Sequence, residues 1–141
     1  MFTYPNPMKK YLSLLIIALC FFSCKKESPD TTALNASLAG KWELSSTSAG
    51  TSGQILTVQP GNGNIYQFNG DGSYARYAGS LKEDSGTYTV QENVQNVFGS
   101  KGDIITFSGT KSTFVLKLSG DSMVLTGDYT NAIGSGYTKL P

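Results

Sequence analysis

The sequence predicts an all-β domain, built as an antiparallel, up-and-down β-barrel of about eight strands. From Leu38 onward, short runs rich in Tyr, Phe, Val, Ile and Thr alternate with turns of Gly, Asn, Asp and Ser. The turns recur about every ten residues, which is typical of β-sandwiches and barrels. Apolar residues occupy alternate positions within the runs, so each strand is expected to have one packed and one solvent-exposed face.

Nine segments carry this strand pattern. They are Lys41–Thr47, Gln54–Gln59, Asn64–Phe68, Ser73–Ala78, Gly86–Glu92, Asp103–Ser108, Thr113–Ser119, Met123–Thr126 and Gly136–Leu140. In the first segment Trp42 and Leu44 share a face, and in the seventh Phe114 and Leu116 lie opposite Lys117. Such alternation predicts side chains that point in turn into a core and into water.

Short turns between neighbouring segments predict a meander of hairpins. Asn69–Gly72 and Gly120-Asp121 supply residues that tolerate a positive φ. A long meander buries its edges by closing on itself, so the last strand, Gly136–Leu140, should pair with the first. Pro141 lacks an amide hydrogen and can end that ladder.

One segment does not fit the strand pattern. Val94, Val97 and Phe98, within Gln91–Phe98, fall at helical spacing. This segment is predicted to be a short turn of helix or a loop.

The N-terminal segment has the pattern of a lipoprotein signal peptide. Lys9 and Lys10 precede an apolar run from Leu12 to Phe22, and the small residue Ser23 precedes Cys24. We expect cleavage before Cys24 and acylation of its thiol. The apolar run is shorter than the roughly 20 residues of a membrane-spanning helix.

Alternatives to this interpretation stay open. A plain secretory signal would also be cleaved, although Ala18 alone is a poor recognition site for the ordinary peptidase. Cys20 follows the bulky Leu19 and fits a lipid-attachment site less well. Translation can start at Met1 or at Met8.

These patterns divide the chain into three parts. Residues 1–23 are the expected signal peptide. Residues 24–37 are charged, rich in Ser, Thr and Asp, and contain Pro29, so they are expected to form a flexible tether. Residues 38–141 are the expected barrel domain.

The residue inventory disfavours an enzyme. The chain has no histidine, which removes the commonest general base and metal ligand. Removal of Lys9 and Lys10 with the signal leaves nine basic against ten acidic side chains, so no strong field favours nucleic acid. Asn69, Asp71 and Ser73 resemble a truncated calcium loop, but a hairpin turn needs the same residues. No catalytic residue, metal site or cofactor is predicted.

Three short motifs resemble those of the lipocalin-like domains of bacterial lipoproteins. They are Gly40-x-Trp42 at the first strand, Phe68-x-x-x-Gly72-x-Tyr74, and Gly86-Thr87-Tyr88. The resemblance spans about Leu38 to Pro141 and implies a lipocalin-like barrel. It also implies that Trp42 plugs one barrel end and that a cation from the last strand, here Lys139, packs over its ring.

Small eight-stranded barrels either hold one small ligand or are filled by their own side chains. We expect a binding module for a small apolar or amphipathic ligand, anchored through Cys24 to the outer membrane, at its periplasmic or outer face. The candidate cavity lining consists of inward-facing apolar and aromatic residues: Leu44, Tyr66, Phe68, Tyr74, Tyr88, Phe107, Phe114 and Leu116. The alternative is a filled barrel that contacts a protein or glycan through loops such as Gly50–Gly53 or Gln91–Gly102.

Overall fold

The computed structural model describes residues 32–48 and 52–141, so the predicted signal peptide and Cys24 lie outside the described residues. In the described part of the chain, one short helix precedes nine strands. The helix is α1 (Thr32–Leu38). The strands are β1 (Gly40–Ser48), β2 (Ile55–Thr57), β3 (Asn64–Phe68), β4 (Ser73–Ala78), β5 (Leu81–Gln95), β6 (Lys101–Phe107), β7 (Thr113–Ser119), β8 (Ser122–Gly127) and β9 (Gly134–Lys139). Within these ranges no helix has the length and apolar character needed to span a membrane.

The strands form one antiparallel sheet that closes into a barrel. Its order is β2-β1-β3-β4-β5-β6-β7-β8-β9, and β1 also pairs with β9. The closed barrel therefore has eight strands, β1 and β3 to β9, while β2 extends the sheet beside the end of β1. The predicted all-β, up-and-down barrel is confirmed, including its closure by the first and last strands.

The β3–β4 hairpin shows how local sequence sets the register. The amide of Asn69 donates to the carbonyl of Ser73 over 2.9 Å, and Gly72 has φ 82°. The carboxylate of Asp71 accepts hydrogen bonds from the amide and the hydroxyl of Ser73. These bonds lie within the turn and stabilise it. The resulting register places Tyr66 opposite Arg76.

The segment Gln91–Phe98 differs from its predicted helix or loop. β5 continues through it to Gln95 and pairs with β6 across an irregular register between Gln91 and Val94. Asn93, inside that irregularity, has φ 53°. The helical spacing of its apolar residues was misleading because a bulge shifts the two-residue alternation by one position.

The tether prediction is wrong for residues 32–37, which belong to α1. Leu38 is fully buried in the interior cluster, and Leu34 packs against the same cluster. Side chains four residues apart lie on one face of a helix, so this short helix turns Leu34 and Leu38 toward the core, while its other residues are small or polar. The polar composition concealed that apolar face.

Aromatic rings fill the middle of the barrel. The centroid of Phe107 lies 4.6 Å from that of Tyr74, 5.3 Å from that of Tyr66 and 5.8 Å from that of Phe114. Phe68 packs edge-on against Tyr88, with ring centroids 5.1 Å apart. Rings at these distances are in direct contact, so any ligand in the middle of the barrel would have to displace them.

Candidate functional site

The two ends of the barrel differ in how they are closed. At one end the indole Nε1 of Trp42 donates a 2.7 Å hydrogen bond to the carbonyl of Leu38, the last residue of α1. Trp42 and Leu38 are both fully buried. This bond satisfies one of the carbonyls that a helix end leaves without an intrahelical partner, and it holds α1 against the barrel.

Lys139 completes this closed end. Its Nζ lies 5.2 Å from the centroid of the Trp42 ring and donates a 3.1 Å hydrogen bond to the carbonyl of Ser37. A cation is favourable both over an indole face and at a helix C-terminus. The structure therefore brings together the tryptophan and the cation that the family resemblance implies.

The same contact gives the glycine of the Gly-x-Trp motif a physical role. Gly40 has φ 130°, and a Cβ added there would lie 2.9 Å from Cε of Lys139. A larger residue would be strained by this backbone conformation and would push the lysine stem away from Trp42. Gly40 thus allows Lys139 to cross the barrel end.

Most predicted cavity-lining residues form the interior core. Tyr66, Phe68, Tyr74, Tyr88, Phe107 and Leu116 belong to one buried cluster, and Phe114 packs against it. Leu44 is half-buried and lies outside this cluster. The structure thus brings together seven of the eight predicted residues, and the aromatic ones among the seven fill space with one another.

A second, polar group of side chains lies where the barrel interior meets solvent. Tyr66, Arg76 and Asp84 are directly opposite one another on β3, β4 and β5. Tyr66 points into the interior cluster, so Arg76 and Asp84, in the same row of paired residues, face the barrel interior as well. The Arg76 side chain remains 41% exposed, which places it where the interior meets solvent. We call Tyr66, Arg76, Asp84 and Tyr137 the mouth cluster.

Arg76 is the only arginine of the chain and is incompletely paired. Its Nη2 lies 3.1 Å from Oε2 of Glu83, the residue that a bulge inserts between Lys82 and Asp84 in the pairing with β4. Its Nε is buried without a hydrogen-bond partner among the described residues. A buried donor without a partner is costly, so this group favours an acceptor supplied from outside.

Both tyrosines of the mouth cluster have raised pKa values, so their hydroxyls stay protonated. Burial raises the pKa of Tyr66, while the nearby positive charge of Arg76 lowers it. Burial also raises the pKa of Tyr137, whose ring meets that of Tyr66 edge-on at 5.4 Å. Neutral phenol hydroxyls can donate to an acceptor, so they complement the arginine in recognising a polar group.

Asp84 is held on one side of the mouth by a neighbouring tyrosine. The hydroxyl of Tyr74 donates to its carboxylate, and burial together with this bond raises the pKa of Tyr74 to about 12. Gly109, in the β6–β7 turn, approaches both groups so closely that a Cβ there would clash with Asp84. The carboxylate is thereby fixed beside the mouth.

The sequence alone did not single out the mouth cluster. Pairing across three strands is needed to place Arg76 against Tyr66 and Asp84. The register of the β3–β4 hairpin was the available signal, since its turn residues imply that Arg76 lies opposite Tyr66.

One predicted contact loop exposes apolar side chains. Val97 and Phe98, at the β5–β6 turn, are 54% and 53% exposed. The amide of Val97 donates a 2.9 Å hydrogen bond to the carboxylate of Asp128, which ties this turn to the β8–β9 loop. Tyr129 and Ile133 of that loop are each 55% exposed.

Among the described residues, no cluster of three or more His, Cys, Asp or Glu side chains could hold a metal ion.

Comparison of the chain with protein-family models and with curated protein sequences finds no match. An eight-stranded barrel with one closed end and one polar mouth is a scaffold that suits a ligand-binding module in general.

Proposed function

We propose that this protein is a lipid-anchored binding module of the cell envelope whose barrel mouth holds a small amphipathic ligand with an anionic group. The observation that carries this proposal is the buried, unpartnered Nε of Arg76 at the opening of the barrel. A guanidinium binds a carboxylate through two parallel hydrogen bonds. The phenol hydroxyls of Tyr66 and Tyr137 supply further donors next to it.

The filled interior limits the size of this ligand. Tyr66 lies 5.7 Å from Phe68 and 5.3 Å from Phe107, centroid to centroid, directly below the mouth. Apolar parts of the ligand would therefore lie against these rings without passing between them. A short chain or a single ring with a carboxylate meets this constraint better than a long, fully enclosed lipid.

Replacement of Arg76 tests the ligand proposal. We expect Arg76→Gln to weaken binding of a short-chain fluorescent fatty acid about tenfold to a hundredfold, because a hydrogen bond to a charged group contributes about 1.5–3 kcal/mol. Fluorescence titration of the purified protein measures this change. Lys101→Gln, at an exposed position on β6, should leave binding unchanged.

A second probe separates the charge from the apolar contact. A fluorescent alcohol of the same chain length lacks the carboxylate, so Arg76→Gln should affect its binding little. Absence of saturable binding to the unmodified protein, or equal affinity of Arg76→Gln and the unmodified protein for the fatty acid, would reject the proposal.

Attachment through Cys24 is the second part of the proposal and is supported by the sequence pattern alone. We expect radiolabelled palmitate fed to expressing cells to appear on the protein and to be lost in Cys24→Ser. Cys20→Ser is the matched control and should retain the label. The outer membrane should contain the labelled protein after membrane fractionation. Label that persists in Cys24→Ser would place the lipid elsewhere.

A further inference from the structure

The outer surface of the barrel carries a groove that is separate from the mouth. It encloses about 350 Å³, within the size range of small-molecule sites. Its lining, which we call the outer groove, consists of Lys41, Ile65, Gln67, Tyr77, Gly79 and Ser80. Because Tyr66 and Phe68 point inward, their neighbours Ile65 and Gln67 on β3 point outward.

Strand pairing sets the order of side chains in the outer groove. Lys41 on β1 is directly opposite Gln67 on β3. One step along the sheet, Ile65 is opposite Tyr77 on β4, and Tyr77 is opposite Lys82 on β5. An amide and a half-buried aromatic ring therefore lie between two lysines.

One end of the outer groove is a rigid backbone contact. The amide of Gly79 donates a 3.0 Å hydrogen bond to the carbonyl of Gly63. A Cβ added to Gly63 would lie 2.8 Å from Cα of Gly79, and Gly63 has φ 73°. Only glycine lets the β2–β3 loop and the β4–β5 turn meet this closely, so the groove has a fixed end.

One carboxylate lies beside the outer groove. Glu43 is next to Ile65 in the pairing of β1 with β3, and its two oxygens accept hydrogen bonds of 2.9 Å and 3.0 Å from the amides of Gly61 and Gly63. These bonds lower the pKa of Glu43, so its carboxylate stays ionised and offsets one positive charge. No carboxylate of the described residues forms an ion pair with Lys41 or Lys82. Both lysines are exposed, Lys41 in the lining and Lys82 next to Tyr77, so these three side chains together leave one positive charge in excess.

We propose that the outer groove binds an acidic saccharide. The face of the Tyr77 ring can pack against the apolar C–H side of a sugar ring, as aromatic side chains do with flat apolar surfaces. The amide of Gln67 and the hydroxyl of Ser80 can each donate to and accept from sugar hydroxyls. Lys41 supplies the charge for a carboxylate on the same sugar. The near-balanced charge of the whole chain does not suit nucleic acid.

This site is independent of the ligand proposed for the mouth, and a titration can locate it. A disaccharide containing one glucuronic acid is added to the full-length protein in detergent, and backbone amide shifts are followed by NMR. We expect saturable shifts centred on Ile65, Gln67, Tyr77 and Ser80. The neutral disaccharide with glucose in place of glucuronic acid should bind at least severalfold more weakly.

Variants separate the contributions of charge and ring. Lys41→Gln should weaken binding about fivefold, the upper range for an exposed charge pair, and Tyr77→Ala about tenfold. Lys117→Gln, an exposed lysine on β7, and Arg76→Gln should both leave binding unchanged. If Tyr77→Ala does not fold, the test is the affinity of Lys41→Gln for the acidic disaccharide compared with that of Lys117→Gln.

Four outcomes would overturn the proposal. The first is the absence of saturable shifts at up to millimolar disaccharide. The second is equal affinity for the acidic and the neutral disaccharide. The third is shifts centred on the mouth cluster, and the fourth is an equal loss in Lys41→Gln and Lys117→Gln, because either would show that binding is not specific to the outer groove.

Discussion

Phe107→Ala is expected to lower the free energy of unfolding by about 3–5 kcal/mol, the usual effect of truncating a buried Phe. Phe107 is 1% exposed, and its ring contacts those of Tyr66, Tyr74 and Phe114 in the middle of the barrel. Truncation removes these ring contacts and leaves a cavity that the closed sheet cannot collapse to fill. Urea unfolding of the purified protein, followed by circular dichroism, measures the change.

The chain offers a matched control for this substitution. Phe98 is 53% exposed at the β5–β6 turn, so Phe98→Ala should change the free energy of unfolding by no more than about 0.5 kcal/mol. Similar losses in the two variants would mean that the ring cluster is not the core. Domains of this size are stable by about 5–15 kcal/mol, so Phe107→Ala is expected to remove a large share of the total.

Leu38→Ala is expected to lower the free energy of unfolding by about 2–5 kcal/mol. Leu38 is fully buried, and its carbonyl accepts the indole hydrogen bond of Trp42. Removal of the side chain leaves a cavity next to Trp42 and weakens the docking of α1. Because Trp42 is the only tryptophan of the chain, its fluorescence emission should also shift to longer wavelength as water reaches the ring.

Leu81→Ala serves as the control, because Leu81 is 66% exposed at the start of β5. We expect it to change neither the stability nor the tryptophan emission measurably. If Leu38→Ala were as mild as Leu81→Ala, α1 would contribute no more than a flexible tether.

The strands were predictable wherever turn chemistry and alternation agreed. β3, β4 and β7 have the bounds expected from sequence, since Asn69–Gly72 and Gly120 mark the adjoining turns. β5 was predicted to be shorter than it is. Its first residues, Leu81–Ser85, are polar apart from Leu81, and they are strand because β4 offers a complete ladder of partners.

The errors arose where tertiary contacts override composition. Two leucines four residues apart are too short a pattern to predict α1 from sequence. The helix is held in place by the hydrogen bond from the Trp42 indole and by burial of Leu38. Gln91–Phe98 was predicted to be a short turn of helix or a loop because a bulge disguises the strand periodicity, and its residues up to Gln95 are strand. The first error concerns packing of Leu38 in the interior cluster, and the second concerns a register shift in the pairing of β5 with β6.

The candidate sites also differ in how far the sequence could predict them. The closed end was predictable through the Gly40-x-Trp42 motif, which pointed to Trp42 and Lys139 together. Arg76 was visible as the only arginine, but its importance depends on a buried Nε and on neighbours from β3, β5 and β9. The outer groove depends on Lys41 and Tyr77, which belong to strands that are not consecutive in the chain.

By itself, the sequence determined the alternation of strand and turn, and hence a meander that must close to bury its edges. The tertiary structure decided what the closed barrel contains. Whether inward side chains leave a cavity or fill it depends on how rings from opposite walls meet, and that depends on strand tilt and register across the whole sheet. Here the rings meet and fill the middle of the barrel, and for that reason both proposed binding sites lie outside it.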